Sequence, residues 1–430
     1  MLIKNITLIG ENYSLQKNVN ILIENEKIKS ISTEIPTDYN GEIYNGEGKI
    51  AAPGFYNMHC HAPMSLLRGY GEGLPLDTWL TTKMFPYEAL LTNKDIYWGS
   101  LLGISEMLAS GVASFSDMYF KMESVAKAVN ESGIKANLCH GSSGNEDIHF
   151  KDTNGYEGTK TLMEFSNTTN GRIIADVGIH AEYTSGELLC KEAGNFAKEN
   201  KLNVHLHLSE TKKEHEECKK RRGGKTPSQW FESLGVFEAN TNAAHCVFLE
   251  ENDLQILKNN RVNVLHCPSS NLKLGSGFAD IVTMDKNSIN VCVGTDGAAS
   301  NNNLNMLEEI NLMALLQKGL HKDPVVLEIK KVFEISCKNG ATAQNRLNCG
   351  EIKVGNKADI VVFNSNNPHM LPLINPMSNI LYSAQSSDII LNIIDGKVVY
   401  KNGEYPTIDI EKIKYNAKAI ANEKLNRLTT

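Results

Sequence analysis

The sequence lacks the marks of a membrane-spanning, secreted or disulfide-bonded protein. No apolar run approaches the roughly 18 residues that a membrane-spanning helix needs. The first residues, MLIKNITLIGENYSL, show no basic region followed by a long apolar stretch and a small-residue cleavage site. The nine cysteines are scattered without a CxxC pair, which disfavours a disulfide framework or a cysteine-rich zinc site. We therefore expect a cytoplasmic protein whose cysteines are small buried hydrophobes.

A surplus of positive charge is also missing. Lys and Arg number 43 against 50 Asp and Glu, so the net charge is −7. Nucleic-acid binding depends largely on cations that neutralise phosphates, so we expect no nucleic-acid partner and no membrane partner. The 41% hydrophobic and 22% charged residues are typical of globular proteins. In 430 residues they predict a packed, enzyme-sized protein with one large and one small unit, and leave a homo-oligomer open.

Both ends of the chain have a β-rich pattern. Near the start, the runs 18–23 and 26–31 alternate apolar and polar residues around a polar turn. Near the end, the run 358–363 and the stretch 389–400 have the same character, and Asp395–Gly396 is a typical hairpin turn. We predict that the two ends share one small β-domain, and that Ile410 to Leu428 is helical.

The middle of the chain alternates short apolar runs with longer helix-compatible stretches. The runs are 113–116, 173–179, 204–206, 262–265 and 291–294. This alternation predicts parallel βα units, arranged as a barrel or as a doubly wound sheet. Several runs lead directly into His180, His207, His266 or Asp296. A barrel collects the ends of many strands around one point, so the pattern favours a barrel.

Two imidazoles lie two residues apart in His59–Cys60–His61, at the end of a predicted strand. Residues i and i+2 of a strand point the same way, so both imidazoles can bind one metal ion. A pair of ordinary buried histidines is the alternative. His205–Leu206–His207 offers a third imidazole, and Glu210 follows it.

Asp296, between Gly294 and Gly297, adds a carboxylate at another strand end. Three imidazoles and one carboxylate suit a zinc-like ion with one position open for water. Taken alone, Asp296 is equally well explained as a helix cap, and His205 and His207 as core residues. His180 and His245 are further imidazoles at predicted strand ends.

These residues carry a resemblance to a known family. The strings HCHAPMSLLRG from His59, HLHLSET from His205, AAHCV from Ala243, PSSNLKLGSG from Pro268 and GTDGAASNN from Gly294 resemble the methylthioadenosine/S-adenosylhomocysteine deaminases of the amidohydrolase superfamily. The resemblance implies a distorted (β/α)8 TIM barrel with a small β-sandwich domain formed by both chain ends. We expect segments 1–54 and 346–430 to form the small domain with a terminal helix, and 55–345 the barrel.

The resemblance implies metal-dependent hydrolytic deamination of adenine nucleosides to inosine analogues and ammonia. One divalent ion, Zn²⁺ by expectation, is held by His59, His61, His207 and Asp296, and lowers the pKa of its water toward 7. Some superfamily members hold two metals with a modified lysine, but His180 stands at that strand end. Glu210 is expected to protonate the ring nitrogen, Asp296 to accept the water's proton and His245 to orient the nucleophile.

Further substrate contacts are implied at His180, Glu88, Trp79 and His140, besides Glu210 and Asp296. Glu88 matches the family glutamate for ribose hydroxyls, and Trp79 a family aromatic near the site. Without the resemblance, Glu88 is a solvated helix residue and Trp79 a core residue.

The sequence departs from the family pattern at His140, where an arginine for the amino-acid end of S-adenosylhomocysteine is expected. A second arginine position falls near Lys160. Neither His nor Lys reproduces the paired hydrogen bonds of Arg to a carboxylate, so S-adenosylhomocysteine is expected to be a poorer substrate. Two other functions stay open: deamination of guanine, a pterin or another cyclic amidine, and a non-catalytic binding protein.

Overall fold

The computed structural model describes residues 1–36 and 39–429. Strands β1 to β17 are Leu2–Ile9, Leu15–Glu24, Lys27–Ser32, Ile43–Asn45, Lys49–Pro53, Phe55–Cys60, Val112–Tyr119, Lys135–Ser142, Ile173–Ala175, Val177–Ile179, Val204–Leu208, Thr241–His245, Asn263–His266, Val291–Val293, Ile360–Asn364, Ile389–Ile394 and Lys397–Lys401. Helices α1 to α16 are Leu76–Trp79, Phe85–Glu88, Asn93–Ala109, Met122–Ser132, Asn154–Thr168, Glu187–Asn200, Lys212–Arg221, Pro227–Ser233, Glu251–Asn259, Pro268–Lys273, Ile281–Lys286, Met306–His321, Ile329–Phe333, Asn339–Ala343, Pro376–Tyr382 and Ile410–Thr429.

The middle of the chain forms a parallel barrel. Its strands follow the order β6, β7, β8, β10, β11, β12, β13 and β14, and each is parallel to its neighbours. The segment after β14 closes the ring on β6, because the Asp296 amide donates to the His59 carbonyl at 2.9 Å. Gly294 permits this approach, since a Cβ there would lie 2.5 Å from the His59 backbone nitrogen. The predicted barrel is confirmed.

Helices separate the barrel strands along the chain, as the alternation of apolar runs predicted. The longest helix between β6 and β7 is α3, which begins with a capping box between Thr92 and Asp95. The predicted terminal helix is α16, and it packs on α3, where Lys424 lies 3.0 Å from the Asp95 carboxylate.

The two chain ends form one mixed, hydrogen-bonded sheet. Its order is β17, β16, β15, β5, β1, β2 and β3, and β4 pairs with β1. Alternate residues of β15 serve two cores: Ile360 and Val362 join the small domain's own apolar cluster, and Val361 and Phe363 join that of the barrel. Asp395 and Gly396 both have positive φ, as the predicted tight hairpin requires. The expected small domain built from both ends is confirmed.

One apolar run is divided differently from its sequence pattern. The run 173–179 forms β9 and β10, with Asp176 between them. The Asp176 amide donates to the Leu138 carbonyl, and its buried carboxylate accepts from Asn137 at 3.1 Å. The predicted single strand is thus interrupted at Asp176, whose side chain bonds the buried Asn137.

The cysteines of the described chain are free, and all are buried except the partly exposed Cys349. Among the described helices, none combines the length and apolarity needed to cross a membrane.

Candidate active site

Five of the predicted site residues meet at the carboxyl ends of the barrel strands. His59 lies in β6, His207 in β11 and His245 at the end of β12, while His61 and Asp296 follow β6 and β14. The ligand atoms of His59, His61 and His207 lie within 4.8 Å of one another, and so do those of His59, His245 and Asp296. Residues far apart in sequence are thus brought to one point, the usual place of a barrel active site.

The orientation of two imidazoles follows from their hydrogen bonds. His61 Nδ1 donates to the Met118 carbonyl at 2.5 Å, and His207 Nδ1 donates to the His180 carbonyl at 2.6 Å. A carbonyl only accepts, so each Nδ1 carries a proton. Burial holds the pKa of His207 well below its usual value, so this ring is neutral and keeps a lone pair on Nε2. Burial would also lower the pKa of His61, but the hydrogen bond to Asp296 raises it to about 9, so a metal ion at its Nε2 would displace a proton.

His59 is held in a similar way by another imidazole. Its Nδ1 lies 2.9 Å from Nε2 of His205. His205 is buried and lies in β11, the strand that also holds His207. Its own Nε2 is buried without a hydrogen-bond partner. Burial first, and then the charge of His61, hold the pKa of His59 well below its usual value, so the ring is neutral.

Asp296 supplies the carboxylate of the cluster. Its Oδ1 lies 3.2 Å from His61 Nε2 and 3.6 Å from His59 Nε2. Its Oδ2 accepts from the Ser270 and Ser300 hydroxyls at 2.5 and 2.9 Å. Burial alone would raise the pKa of Asp296, but the hydrogen bond and charge of His61 hold it well below its usual value. The group is therefore an anion in a fixed orientation.

These residues fit a metal ion. Imidazole nitrogens together with a carboxylate are typical ligands of a catalytic zinc site, and hydrogen bonds to the far side of each ring are typical of metal-binding histidines. The buried, unpartnered Nε2 of His59 is costly unless another group binds it. A cation among these atoms would supply that partner.

Glu210 and His245 lie beside this cluster. Their carboxylate and Nε2 atoms are 3.8 Å apart, and both side chains line the same cavity. Burial raises the pKa of Glu210, which favours the protonated form that an acid catalyst needs. His245 Nδ1 contacts the Asn271 amide oxygen at 2.9 Å. The amide oxygen accepts, so His245 Nε2 is left to accept a proton or hydrogen bond from a molecule in the cavity.

The cavity above the cluster has a volume of about 250 Å³. Its floor is polar, and its walls are largely apolar side chains: Met64, Leu76, Leu80, Phe85, Phe120 and Leu274. Such a site suits a flat, mostly apolar ring with a few polar atoms at one end.

Five of the six predicted substrate-binding residues line this cavity: Glu210 and Asp296, described above, and Glu88, Trp79 and His180. Glu88 is partly buried and its carboxylate accepts from the Tyr119 hydroxyl at 2.6 Å, so it is no ordinary solvated helix residue. Burial, followed by the charge of His61, lowers the pKa of His180 to about 4. Its Nδ1 contacts the Thr184 hydroxyl at 2.8 Å.

His140 lies elsewhere. It lines a groove that adjoins the cavity at Phe85, Glu88 and Phe120, and it is absent from the lining of the cavity itself. Lys160 is exposed and pairs with Glu157 at 3.4 Å.

The sequence reasoning assigned no role to several residues that hold the site together. Ser270 and Asn271 belong to the string PSSNLKLGSG, but their bonds to Asp296 and His245 emerge only from the fold. Tyr119 donates to Glu88 and is the last residue of β7. Its position as a polar side chain at a strand end was the signal that could have indicated it. Glu214 accepts from the Glu210 amide, and no pattern around it in the sequence indicates this bond.

Comparison with known proteins agrees with this geometry. The amidohydrolase family profile matches residues 50–399. A 5-methylthioadenosine/S-adenosylhomocysteine deaminase of Dictyoglomus turgidum is 43% identical, covering 97% of each chain. A 5'-deoxyadenosine deaminase of Methanosphaera stadtmanae is 41% identical, covering 98% of each chain. The crystal structure of a zinc-bound adenosine deaminase of Xanthomonas campestris superposes with a TM-score of 0.90 at 26% identity, covering 99% of this chain and 98% of that one. The chain therefore belongs to the amidohydrolase family, among the 5-methylthioadenosine/S-adenosylhomocysteine deaminases.

Proposed function

We propose that the chain deaminates adenine nucleosides by hydrolysis: 5'-methylthioadenosine, S-adenosylhomocysteine and adenosine become the inosine analogues and ammonia. The names of its relatives support this substrate class. The observation that carries the proposal is that Glu210 and His245 face the same cavity as the cluster of His61, His207 and Asp296. An acid, a hydrogen-bond acceptor and a metal-ligand set therefore lie around one reacting point.

His59, His61, His207 and Asp296 are the proposed ligands of a single divalent ion, and Zn²⁺ is the proposed metal. The zinc in the related adenosine deaminase structure supports this choice. Such an ion lowers the pKa of a water molecule toward 7 and so supplies a nucleophile at neutral pH.

The chain's own residues account for the proton transfers. Asp296 accepts a proton from the attacking water, since its Oδ2 is already held by two hydroxyls and its Oδ1 faces the imidazoles. His245 orients the same water through Nε2. Glu210 donates a proton to the ring nitrogen beside the carbon under attack. Asp296 then passes the proton from the water to the amino group, which leaves as ammonia, and the proton of the new hydroxyl returns to Glu210 as the carbonyl forms.

The rest of the cavity fits the nucleoside. The Glu88 carboxylate is the proposed acceptor for the ribose hydroxyls, and its bond from Tyr119 fixes its direction. His180 is held by Thr184 and is proposed to contact the bound nucleoside, while Trp79 packs against it. A small molecule is the only partner that this proposal requires.

The test is a substrate panel with variants. Purified protein is assayed with adenosine, 5'-methylthioadenosine, S-adenosylhomocysteine and guanine, following ammonia release and the ultraviolet change from adenine to hypoxanthine. We expect turnover of the adenine nucleosides and a loss of about 10²- to 10⁴-fold in Glu210→Gln, the range for a positioned acid.

His207→Ala should lose both the metal and the activity. His149→Ala is its matched control, because His149 is half-exposed and pairs with Glu192. Turnover of guanine alone, or equal activity of the two histidine variants, would contradict the proposal.

A further inference from the structure

Glu214 is a buried carboxyl that the proposed mechanism does not use. It lies in the first turn of α7, where its amide donates to the Thr211 hydroxyl at 3.1 Å. The residue is only 5% exposed, and burial raises the pKa of its carboxyl to about 7. A buried acid of this kind is unfavourable unless its oxygens are well bound.

Both oxygens of Glu214 bind the backbone that carries Glu210. Oε1 accepts from the Ser209 amide at 3.0 Å, and Oε2 accepts from the Glu210 amide at 2.7 Å. In an ordinary capping box the acid bonds the amide of the cap residue, here Thr211. Glu214 extends beyond that residue to the turn where β11 ends.

This turn has an uncommon backbone conformation. Ser209 has a φ of +49°, a region that residues other than glycine seldom adopt. Such a conformation persists where surrounding bonds impose it, and it is frequent at functional sites. The two amide bonds to Glu214 are bonds of that kind.

The same turn is joined to the one that carries His245. The Ser209 carbonyl accepts from the Val247 and Phe248 amides at 3.1 and 3.0 Å. His245 and Cys246 also have positive φ, +73° and +49°. The backbones that present Glu210 and His245 to the cavity are thus hydrogen-bonded to each other. Glu214 binds the amides of the first of these two turns.

We infer that Glu214 is a positioning residue for deamination, which holds Glu210 in line with the ring nitrogen through the amides of Ser209 and Glu210. The inference rests on the proposed function. Misplacing a reacting group by about 1 Å can lower a rate roughly 100-fold, so the effect of losing Glu214 should be large. It should fall on the chemical step, because the proposed ribose and metal contacts do not involve Glu214.

The first test compares kcat and KM of Glu214→Gln with those of wild type on 5'-methylthioadenosine. We expect kcat to fall about 10- to 100-fold, with KM and metal content within about threefold of wild type. Glu216→Gln is the matched control, since Glu216 is exposed on the same helix and should leave kcat unchanged. A kcat within threefold of wild type in Glu214→Gln would overturn the inference.

A double-mutant cycle separates positioning from general destabilisation. If Glu214 acts through Glu210, Glu214→Gln should lower kcat less than about threefold further in a Glu210→Gln background. A loss that multiplies in full would overturn the inference. Should Glu214→Gln fail to fold, Glu214→Asp, which shortens the side chain by one methylene, is judged by the same criteria.

Structural comparison keeps this test separate from that of the proposed function. Inactivity of wild type toward every adenine nucleoside would contradict the function. The crystal structure of Glu214→Gln would then decide the inference: a displaced Glu210 side chain supports it, and an unmoved one overturns it.

Discussion

At the scale of single residues, position in the barrel decides what each histidine does. His205 and His207 point to the same side of β11, as the two-residue period of a strand requires. His207 reaches the cavity, whereas His205 lies beneath it and bonds Nδ1 of His59. The sequence predicts that such a pair shares a face. It does not show which imidazole is the ligand and which supports it, because that depends on depth in the barrel.

A buried acid near the site predicts a dependence of stability on pH. Burial raises the pKa of Glu309 to about 7, in spite of hydrogen bonds from Asn301 and Ser269 at 2.7 and 3.2 Å. An unfolded glutamate titrates near 4.3, so between about pH 4 and 7 the folded state binds more protons than the unfolded state. The stability that this group contributes is therefore lost as the pH rises through that window.

Glu309→Gln removes this proton equilibrium. We expect the melting temperature of the variant, relative to wild type, to rise by a few degrees between pH 5 and pH 8, measured by calorimetry. The exposed neighbour Glu308 provides the control Glu308→Gln, which should show no such drift. A difference between Glu309→Gln and wild type that stays constant with pH would contradict the prediction.

At the scale of elements, the segment between β6 and α3 covers the cavity. It carries α1 and α2, and it contributes Trp79, Phe85 and Glu88 to the lining. Asp77 of this segment lies 2.5 Å from Lys213, so an exposed ion pair joins the segment to α7. Elements of four residues have too weak a periodic pattern to be predicted, and only the resemblance indicated Glu88 and Trp79.

The groove beside Glu88 predicts substrate preference. Lys121 is the cation among the described residues that line this groove. Its amine donates to the Leu91 carbonyl at 2.9 Å. Burial lowers the pKa of His140, so its ring is neutral. We expect the kcat/KM for S-adenosylhomocysteine to lie at least about tenfold below that for 5'-methylthioadenosine, because a guanidinium–carboxylate pair is missing.

His140→Arg supplies such a guanidinium and should raise kcat/KM for S-adenosylhomocysteine while leaving that for 5'-methylthioadenosine within about threefold. His140→Gln, which adds no charge, is the control. Equal catalytic efficiencies of the wild type on the two substrates would contradict this explanation of the groove.

At the scale of the whole molecule, a buried ionic cluster ties the small sheet to the barrel. Lys135 of β8 lies 2.5 Å from Asp359 and 3.1 Å from Asp395, and all three side chains are buried. Lys135→Ala leaves two buried carboxylates short of a cation and should lower the free energy of unfolding by about 3 kcal/mol or more.

Chemical denaturation measures this loss. Lys160→Ala is the control, because its exposed pair with Glu157 should be worth less than about 1 kcal/mol. If the two variants lose equal stability, the cluster does not hold the two parts together.

The sequence predicts the class of fold better than its connections. Period-two runs at both ends and the βα alternation between them were enough to predict the barrel and the shared small domain. The pairing of β5 with β15 was not predictable, because it joins residues about 300 positions apart. The same holds for the bonds from Asn271 and Glu214 to the site. The domain limits 1–54, 55–345 and 346–430 stay a proposal, supported by β5 and β6 lying in different sheets.

The measurement that tests the central claim most directly is metal reconstitution of the metal-free protein, followed by deamination of 5'-methylthioadenosine. The account predicts that activity rises with added Zn²⁺ to a plateau at one ion per chain, and that His207→Ala shows neither tight binding nor activity. A plateau at two ions, or full activity without any metal, would contradict the single-ion site of His59, His61, His207 and Asp296.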